Sequence, residues 1–265
     1  MEIDVECPSG LKGRIRAWKV KDRAIYKDQK VLRSNTLIQE IVQRVWLSTT
    51  DPGPYNFSNG QVNWGKVLQG DTFWAFIQSR RISKGDIYTF RTPCRSCANS
   101  IETPFDLSEL QRKDLPQDGI DAVRSDQPIE IEVDGRTIKF RLLRTEDNRK
   151  IAGLEDNYKL EGEYAILAAR LVEVSGLGPG PIARARFVQD LDEGEADRIL
   201  AAMEEYDCGA DVAIKVICEN CGHSWGQNLP LQPSFFQTET TRPTGGGVRA
   251  EMTGEEEETP IARAG

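Results

Sequence analysis

The chain has 265 residues, 38% of them hydrophobic and 29% charged, with a formal net charge of −8. That length holds one large domain or two ordinary ones, and either buries a core without disulfide staples. The negative balance argues against nucleic acid as the main partner, because phosphate binding demands a concentrated positive face; the longest apolar runs, about five to seven residues, fall far short of a membrane span.

No charged-then-apolar leader opens the sequence, so a soluble protein made in the reducing cytosol is expected. In that compartment spaced cysteines are metal ligands or redox groups more often than disulfides. Residues 3–18 read as a hairpin, with alternating segments on either side of Pro8-Ser9-Gly10. Cys7 falls on its first strand, as a small buried apolar group. Residues 11–34 carry nine basic side chains against Asp22 and Asp28. They alternate with Ile15, Trp18, Val20 and Ile25, the pattern of a solvated amphipathic face; an anionic partner is the other reading.

A helix is expected over 36–48, with Thr36 and Gln39 at capping-box spacing and Ile38, Ile41, Val42 and Val45 on one face. It should stop before Asp51-Pro52-Gly53-Pro54, which cannot continue a helix. A loop follows through Tyr55, Phe57 and Trp64. Asp71 is then expected to cap a second helix, whose Phe73, Trp74, Phe76 and Ile77 supply the N-terminal core and which Gly85 closes.

Next comes the first of two matched segments, Cys94-Arg-Ser-Cys97, answered far downstream by Cys218-Glu-Asn-Cys221. Apolar residues follow each pair at offsets of four, eight and ten: Ile101, Phe105 and Leu107 after Cys97, Trp225, Leu229 and Leu231 after Cys221. Tyr88, Phe90 and Thr92 alternate into the first pair as Val212, Ile214 and Val216 do into the second, the period of a half-buried strand. Each copy reads as strand, knuckle, strand.

Between the knuckles lie 120 residues, too many for a loop within a small zinc module. Segments 129–133 and 137–143 flank Asp134-Gly135, a strong hairpin signal. Helices are expected near 145–154, 162–174 and 193–206, the last with Asp192 and Glu195 in capping-box relation and Gly209 beyond its end. Gly176-Leu177-Gly178-Pro179-Gly180 reads as a turn and not a phosphate loop, because Pro179 and Pro181 remove backbone donors. After Phe236 the composition shifts to Thr, Gly, Pro and charge, and a disordered tail is expected.

Two C-x-x-C knuckles supply the four thiolates of a closed tetrahedral zinc site, so Cys94, Cys97, Cys218 and Cys221 are the candidate ligands of one structural Zn2+. In a ribbon of this kind the ion holds two hairpin tips together, and structural zinc contributes an apparent ~10–16 kcal/mol near neutral pH. Thiol redox chemistry is the competing reading; it asks for a pair at a helix N-terminus, whereas each pair here lies between strands. His223, the single histidine, is an alternative ligand in principle, but four cysteines complete the shell. One histidine also weighs against Ser-His-Asp or Cys-His hydrolases and histidine-rich catalytic zinc sites. No residue is nominated as catalytic, and no small-molecule substrate is expected.

With these residues placed, the chain resembles the baseplate hub assembly proteins of contractile-tailed (T-even-type) bacteriophages and their prophage relatives. The resemblance runs over most of residues 5–236. Its elements are Pro8-Ser9-Gly10-Leu11, Asp51-Pro52-Gly53-Pro54-Tyr55, Trp64 through Val67-Leu68-Gln69-Gly70-Asp71, and the separated cysteine pairs. It implies a non-enzymatic role in building the baseplate hub in the bacterial cytoplasm, or in the particle itself, through contacts with other tail proteins. On the matching positions the four cysteines are the zinc ligands. A nucleic-acid-associated zinc ribbon is the alternative function, motivated by the basic segment.

The expected fold is therefore α+β. An N-terminal hairpin and helical region occupies 1–86, a split zinc ribbon 87–108 plus 209–236, an inserted and mainly helical domain 109–208, and a disordered tail 237–265.

Overall fold

A computed structural model describes residues 1–29, 31, 36–174 and 180–236. The sequence expectations for the turn at 176–179, for Lys30 and Arg33, and for the tail at 237–265 lie outside these. The described chain is a mixed α/β structure of five small sheets and eight α-helices.

The N-terminal hairpin forms as the alternation predicts. Strand β1 (Glu2–Glu6) pairs antiparallel with β2 (Lys12–Arg16), and Val5 and Ile15 turn into the core. Cys7 is buried, as expected, but lies just past the strand, where its N–H donates to Leu11 O at 2.8 Å. Helix α1 (Leu37–Val45) buries Ile41, Val42 and Val45. It stops three residues short of the expected end, because Trp46 opens strand β3 (Trp46–Asp51), which pairs with the free edge of β2. Gly13 makes this pairing possible: a Cβ there would lie 2.2 Å from the Trp46 indole. Thr36 precedes α1 without a side-chain capping bond, so the expected capping box is not formed.

Helix α2 (Gln69–Lys84) buries Ala75, Phe76 and Ile77, with Phe73 and Trp74 half-buried, and ends at Gly85, whose φ of 85° suits a residue without Cβ. Asp71 is not its cap. Leu68 holds that position and Asp71 lies within the first turn, its carboxylate turned away from the helix to accept the Ser9 N–H at 2.9 Å, the Ser9 hydroxyl, and the Tyr55 hydroxyl at 2.5 Å. Strands β4 (Ile87–Pro93) and β5 (Ser100–Asp106) follow as a hairpin.

The chain then leaves through β6 (Arg112–Lys113) and returns, after the intervening elements, through β10 (Gly209–Ala210), which pairs with it antiparallel. Exit and re-entry are thus side by side. Between them lie α3 (Gln117–Ser125), β7 (Ile129–Val133), β8 (Arg136–Phe140), α4 (Asn148–Tyr158), α5 (Glu163–Arg170), β9 (Leu171–Val174), α6 (Pro181–Gln189) and α7 (Glu193–Glu204). The β7–β8 turn carries Asp134 and Gly135 at φ of 52° and 75°, the left-handed pair that a two-residue hairpin requires.

Three expectations are corrected here. The helix predicted over 162–174 ends at Arg170, because Leu171–Val174 adds to β8 as a third strand. Residues 145–147 form a 3-10 turn before α4. Asp192 precedes α7 without a side-chain capping bond. Helices α3 and α6 were not anticipated; Pro181, just past the expected turn at 176–180, occupies the first turn of α6, where its missing N–H costs nothing. The chain closes with β11 (Ala213–Ile217), β12 (Ser224–Asn228) and the single turn α8 (Pro233–Phe236). One apolar core runs through all these parts, from Leu11 and Phe76 to Phe140, Leu167, Val216 and Phe235.

Candidate metal centre

The two cysteine pairs sit at the tips of two hairpins, β4–β5 and β11–β12, and their backbones repeat each other bond for bond. Cys94 N–H donates to Asn99 O and Ala98 N–H to Cys94 O at 2.8 and 3.0 Å; Cys218 N–H donates to His223 O and Gly222 N–H to Cys218 O, both at 2.8 Å. The residue after each pair takes a left-handed conformation, Ala98 at φ 57° and Gly222 at φ 71°. Each knuckle is therefore a turn that aims both thiols past the hairpin end. Past the knuckles the repeat loosens: Trp225 and Leu229 are buried where Ile101 and Phe105 are half-buried, and at the last offset Leu107 is buried and Leu231 exposed.

The tips meet. Cys94 Sγ lies 3.7 Å from Cys221 Sγ and Cys97 Sγ 3.8 Å from Cys218 Sγ, and all four sulfurs fall within 4.8 Å of one another. A disulfide needs about 2.05 Å, so these are four separate thiols. A tetrahedral ZnS4 unit with bonds of about 2.3 Å has sulfur–sulfur edges near 3.8 Å. The donor set and its spacing fit that ion.

Polar groups of the knuckles prepare the sulfurs for negative charge. Ser96 N–H points at Cys94 Sγ from 3.4 Å, and the Asn220 carboxamide at Cys97 Sγ from 3.7 Å. The backbone N–H of Asn99, joined by Asn220, holds the Cys97 thiol down to about 6. Cys94 is lowered too, chiefly by the N–H of Cys97. Cys221 goes the other way: the N–H of His223 lowers it, yet burial and the thiols of Cys97, Cys218 and Cys94 leave it pushed up to about 11. Four thiols so close cannot all ionise unless a cation joins them, which is the chemistry a metal supplies.

His223 stands outside this cluster, exposed, with its ring stacked on Trp225 at 5.8 Å. The redox reading lacks its setting, since each pair joins two strands. In the basic segment, Lys12 and Arg14 face Glu6 and Asp4 across the β1–β2 pair at 3.3 and 3.0 Å, and Arg16 binds Asp22 at 2.8 Å. Those cations are engaged by the chain's own acids.

Sequence reasoning missed the residues that tie the centre to the rest of the molecule. Tyr88 hydroxyl donates to Pro230 O at 2.7 Å and accepts Gln232 N–H at 3.2 Å. The Gln232 carboxamide meets both the N–H and the carbonyl of Arg91, closing the outer edge of β4 as a strand would. Arg80, largely buried, binds the carbonyls of Phe235, Gly85 and Ile87. Cys208 was also passed over, having no cysteine at C-x-x-C spacing to mark it.

A mixed α/β chain with two hairpins, far apart in sequence, meeting at a four-thiol cluster is thus the class that fold and site define. Residues 1–177 match the family described as T4 bacteriophage base plate protein, and the chain belongs to that family. The match takes in Cys94 and Cys97 and ends before Cys218. No curated protein and no solved structure matches the chain. Membership points to a structural component of a phage baseplate, and the cysteine cluster is compatible with metal binding. Among the described residues no helix is long and apolar enough to cross a membrane.

Proposed function

We propose that this protein is a non-enzymatic, zinc-stabilised component or assembly factor of the baseplate hub of a contractile tail or a phage-derived injection device. One Zn2+ is held by Cys94, Cys97, Cys218 and Cys221. The observation that carries the reading is the sulfur spacing, 3.7 and 3.8 Å across the two knuckles, in a chain of the baseplate family. The ion works as a long-range clamp, joining knuckles separated by 120 residues. The segment at 109–208 is carried between them as an insertion, with the N-terminal region at 1–86 on one side and the tail at 237–265 beyond.

Function then resides in the surfaces that the clamp holds in place, which bind other baseplate proteins in the bacterial cytoplasm during assembly and, where the protein is retained, in the particle. The net charge of −8 weighs against nucleic acid as the partner, and Lys12, Arg14 and Arg16 of the basic segment are paired with acids of the chain.

The test is cobalt substitution. Protein refolded with Co2+ is expected to bind one ion with the visible spectrum of a tetrahedral tetrathiolate, and Cys94→Ser and Cys218→Ser each to change that spectrum and stop tail assembly in complementation. Metal-free protein that folds fully and supports normal assembly would sink the reading.

A further inference from the structure

A cavity of about 370 Å³ opens where α1, the start of α2 and the return of the chain at β10 come together. Its size falls in the range of ligand pockets, roughly 300–1,000 Å³. The floor is built by a close approach: a Cβ on Gly70 would lie 2.0 Å from Cys208 O, so only glycine lets α2 sit against that strand. Leu68, Phe73, Leu115 and Leu142 supply an apolar wall. Around it stand three carboxamides, Gln39, Gln69 and Asn148, with Gln69 Nε2 donating to Asn148 Oδ1 at 2.8 Å. The Thr145 hydroxyl donates to Val67 O at 3.1 Å and accepts from the Thr72 hydroxyl at 2.8 Å.

The charges of this lining are selective. No lysine or arginine is among the described lining residues, and the one charged group is the Asp207 carboxylate, both of whose oxygens are held by Arg170 at 2.7 and 2.8 Å. An anion entering would lose its hydration and find no cation among the described lining residues, Arg170 being committed to Asp207. A neutral group with an apolar body suffers none of this. Carboxamides both donate and accept, so they match the N–H and C=O of a peptide unit.

We propose that this cavity is a docking site for a peptide segment of a baseplate partner, one bulky uncharged side chain filling the Leu and Phe wall while its backbone amide bonds to Gln39 and Gln69. The proposal deepens the hub reading and rests on it for the partner's identity. It asks nothing of the metal.

Cys208 lines the cavity and is only partly covered, which gives a local reporter. In full-length zinc-loaded protein the rate of Cys208 modification by methyl methanethiosulfonate, read by peptide mass mapping, is measured with N-acetyl-tryptophanamide or with N-acetyl-tryptophan. The neutral amide is expected to slow the reaction and the carboxylate to need about tenfold more for the same effect, since burying an unpaired charge is disfavoured. Gln39→Leu is expected to weaken the amide's protection about tenfold, by removing one hydrogen-bonding group. Ala210→Trp, filling the cavity, is expected to abolish protection and tail assembly together while the thiol cluster still binds metal. Equal protection by the two probes, or none by either, overturns the site. Normal assembly with Ala210→Trp overturns the partner assignment and leaves the zinc reading standing.

Discussion

Asp71 has no solvent exposure and three donors converging on it from Ser9 and Tyr55. Burial raises its carboxyl above the ordinary carboxylate range, against the lowering effect of those donors. The folded protein therefore keeps a proton that the unfolded chain releases. This contribution to stability is complete below the ordinary carboxylate pKa of about 3.9 and is lost as pH rises through the raised value. Asp71→Asn is expected to flatten that part of the pH dependence in denaturant unfolding, and an unchanged slope would assign it to another group. Asp71→Ala leaves the buried Ser9 and Tyr55 donors unpaired and is expected to cost roughly 2–4 kcal/mol. The sequence placed Asp71 at a helix start but not in a core network. Its partners lie 62 and 16 residues away, and no local pattern carries such a contact. The cysteines were legible for the opposite reason, because each knuckle is a local turn whose spacing is written in the chain.

At the scale of elements, periodicity was the dependable signal and termini were not. The apolar face of α1 was readable from Ile41, Val42 and Val45, but its end was set by Trp46 pairing with Ile15, a contact across the sheet. Leu171–Val174 likewise looked like more helix until β8 offered an edge. The segment after β12 is the least legible, being short and without period, yet it ties the β4–β5 hairpin to α2. Phe235 is wholly buried against Phe76, Tyr88 and Phe236, with ring centroids 5.3, 4.8 and 5.8 Å away. Phe235→Ala is expected to cost about 3–5 kcal/mol in urea unfolding, the usual loss for a truncated core aromatic. Gln232→Ala should do less to global stability. Hydrogen exchange at the Arg91 amide is the measurement for it: faster exchange with the metal retained is expected, and unchanged protection would show that the β4 edge is closed by something else.

Residues 207–236 make many contacts with the region matched to the family, and the match offers a way to test what those contacts are worth. A fragment of residues 1–177 contains everything matched to the base plate family, including Cys94, Cys97, β4–β5 and the β7–β8–β9 sheet. It lacks Cys218 and Cys221, the β10 partner of β6, and the Phe235 that covers Tyr88. It also lacks Asp207. Arg170, 4% exposed in the whole chain and packed over the Phe140 ring at 5.0 Å, would lose both the Asp207 carboxylate and the Met203 carbonyl that it binds. Asp207 and the β10 residue Gly209 are two positions apart, so their losses are coupled, while the loss of Phe235 alone costs about 3–5 kcal/mol. Together they are comparable to the ~5–15 kcal/mol net stability of an ordinary domain. The fragment is expected to show no cooperative thermal transition and poor amide dispersion by NMR. A fragment that unfolds cooperatively would mean that the matched region folds without the second knuckle, and the proposed metal clamp would then not be what completes the domain.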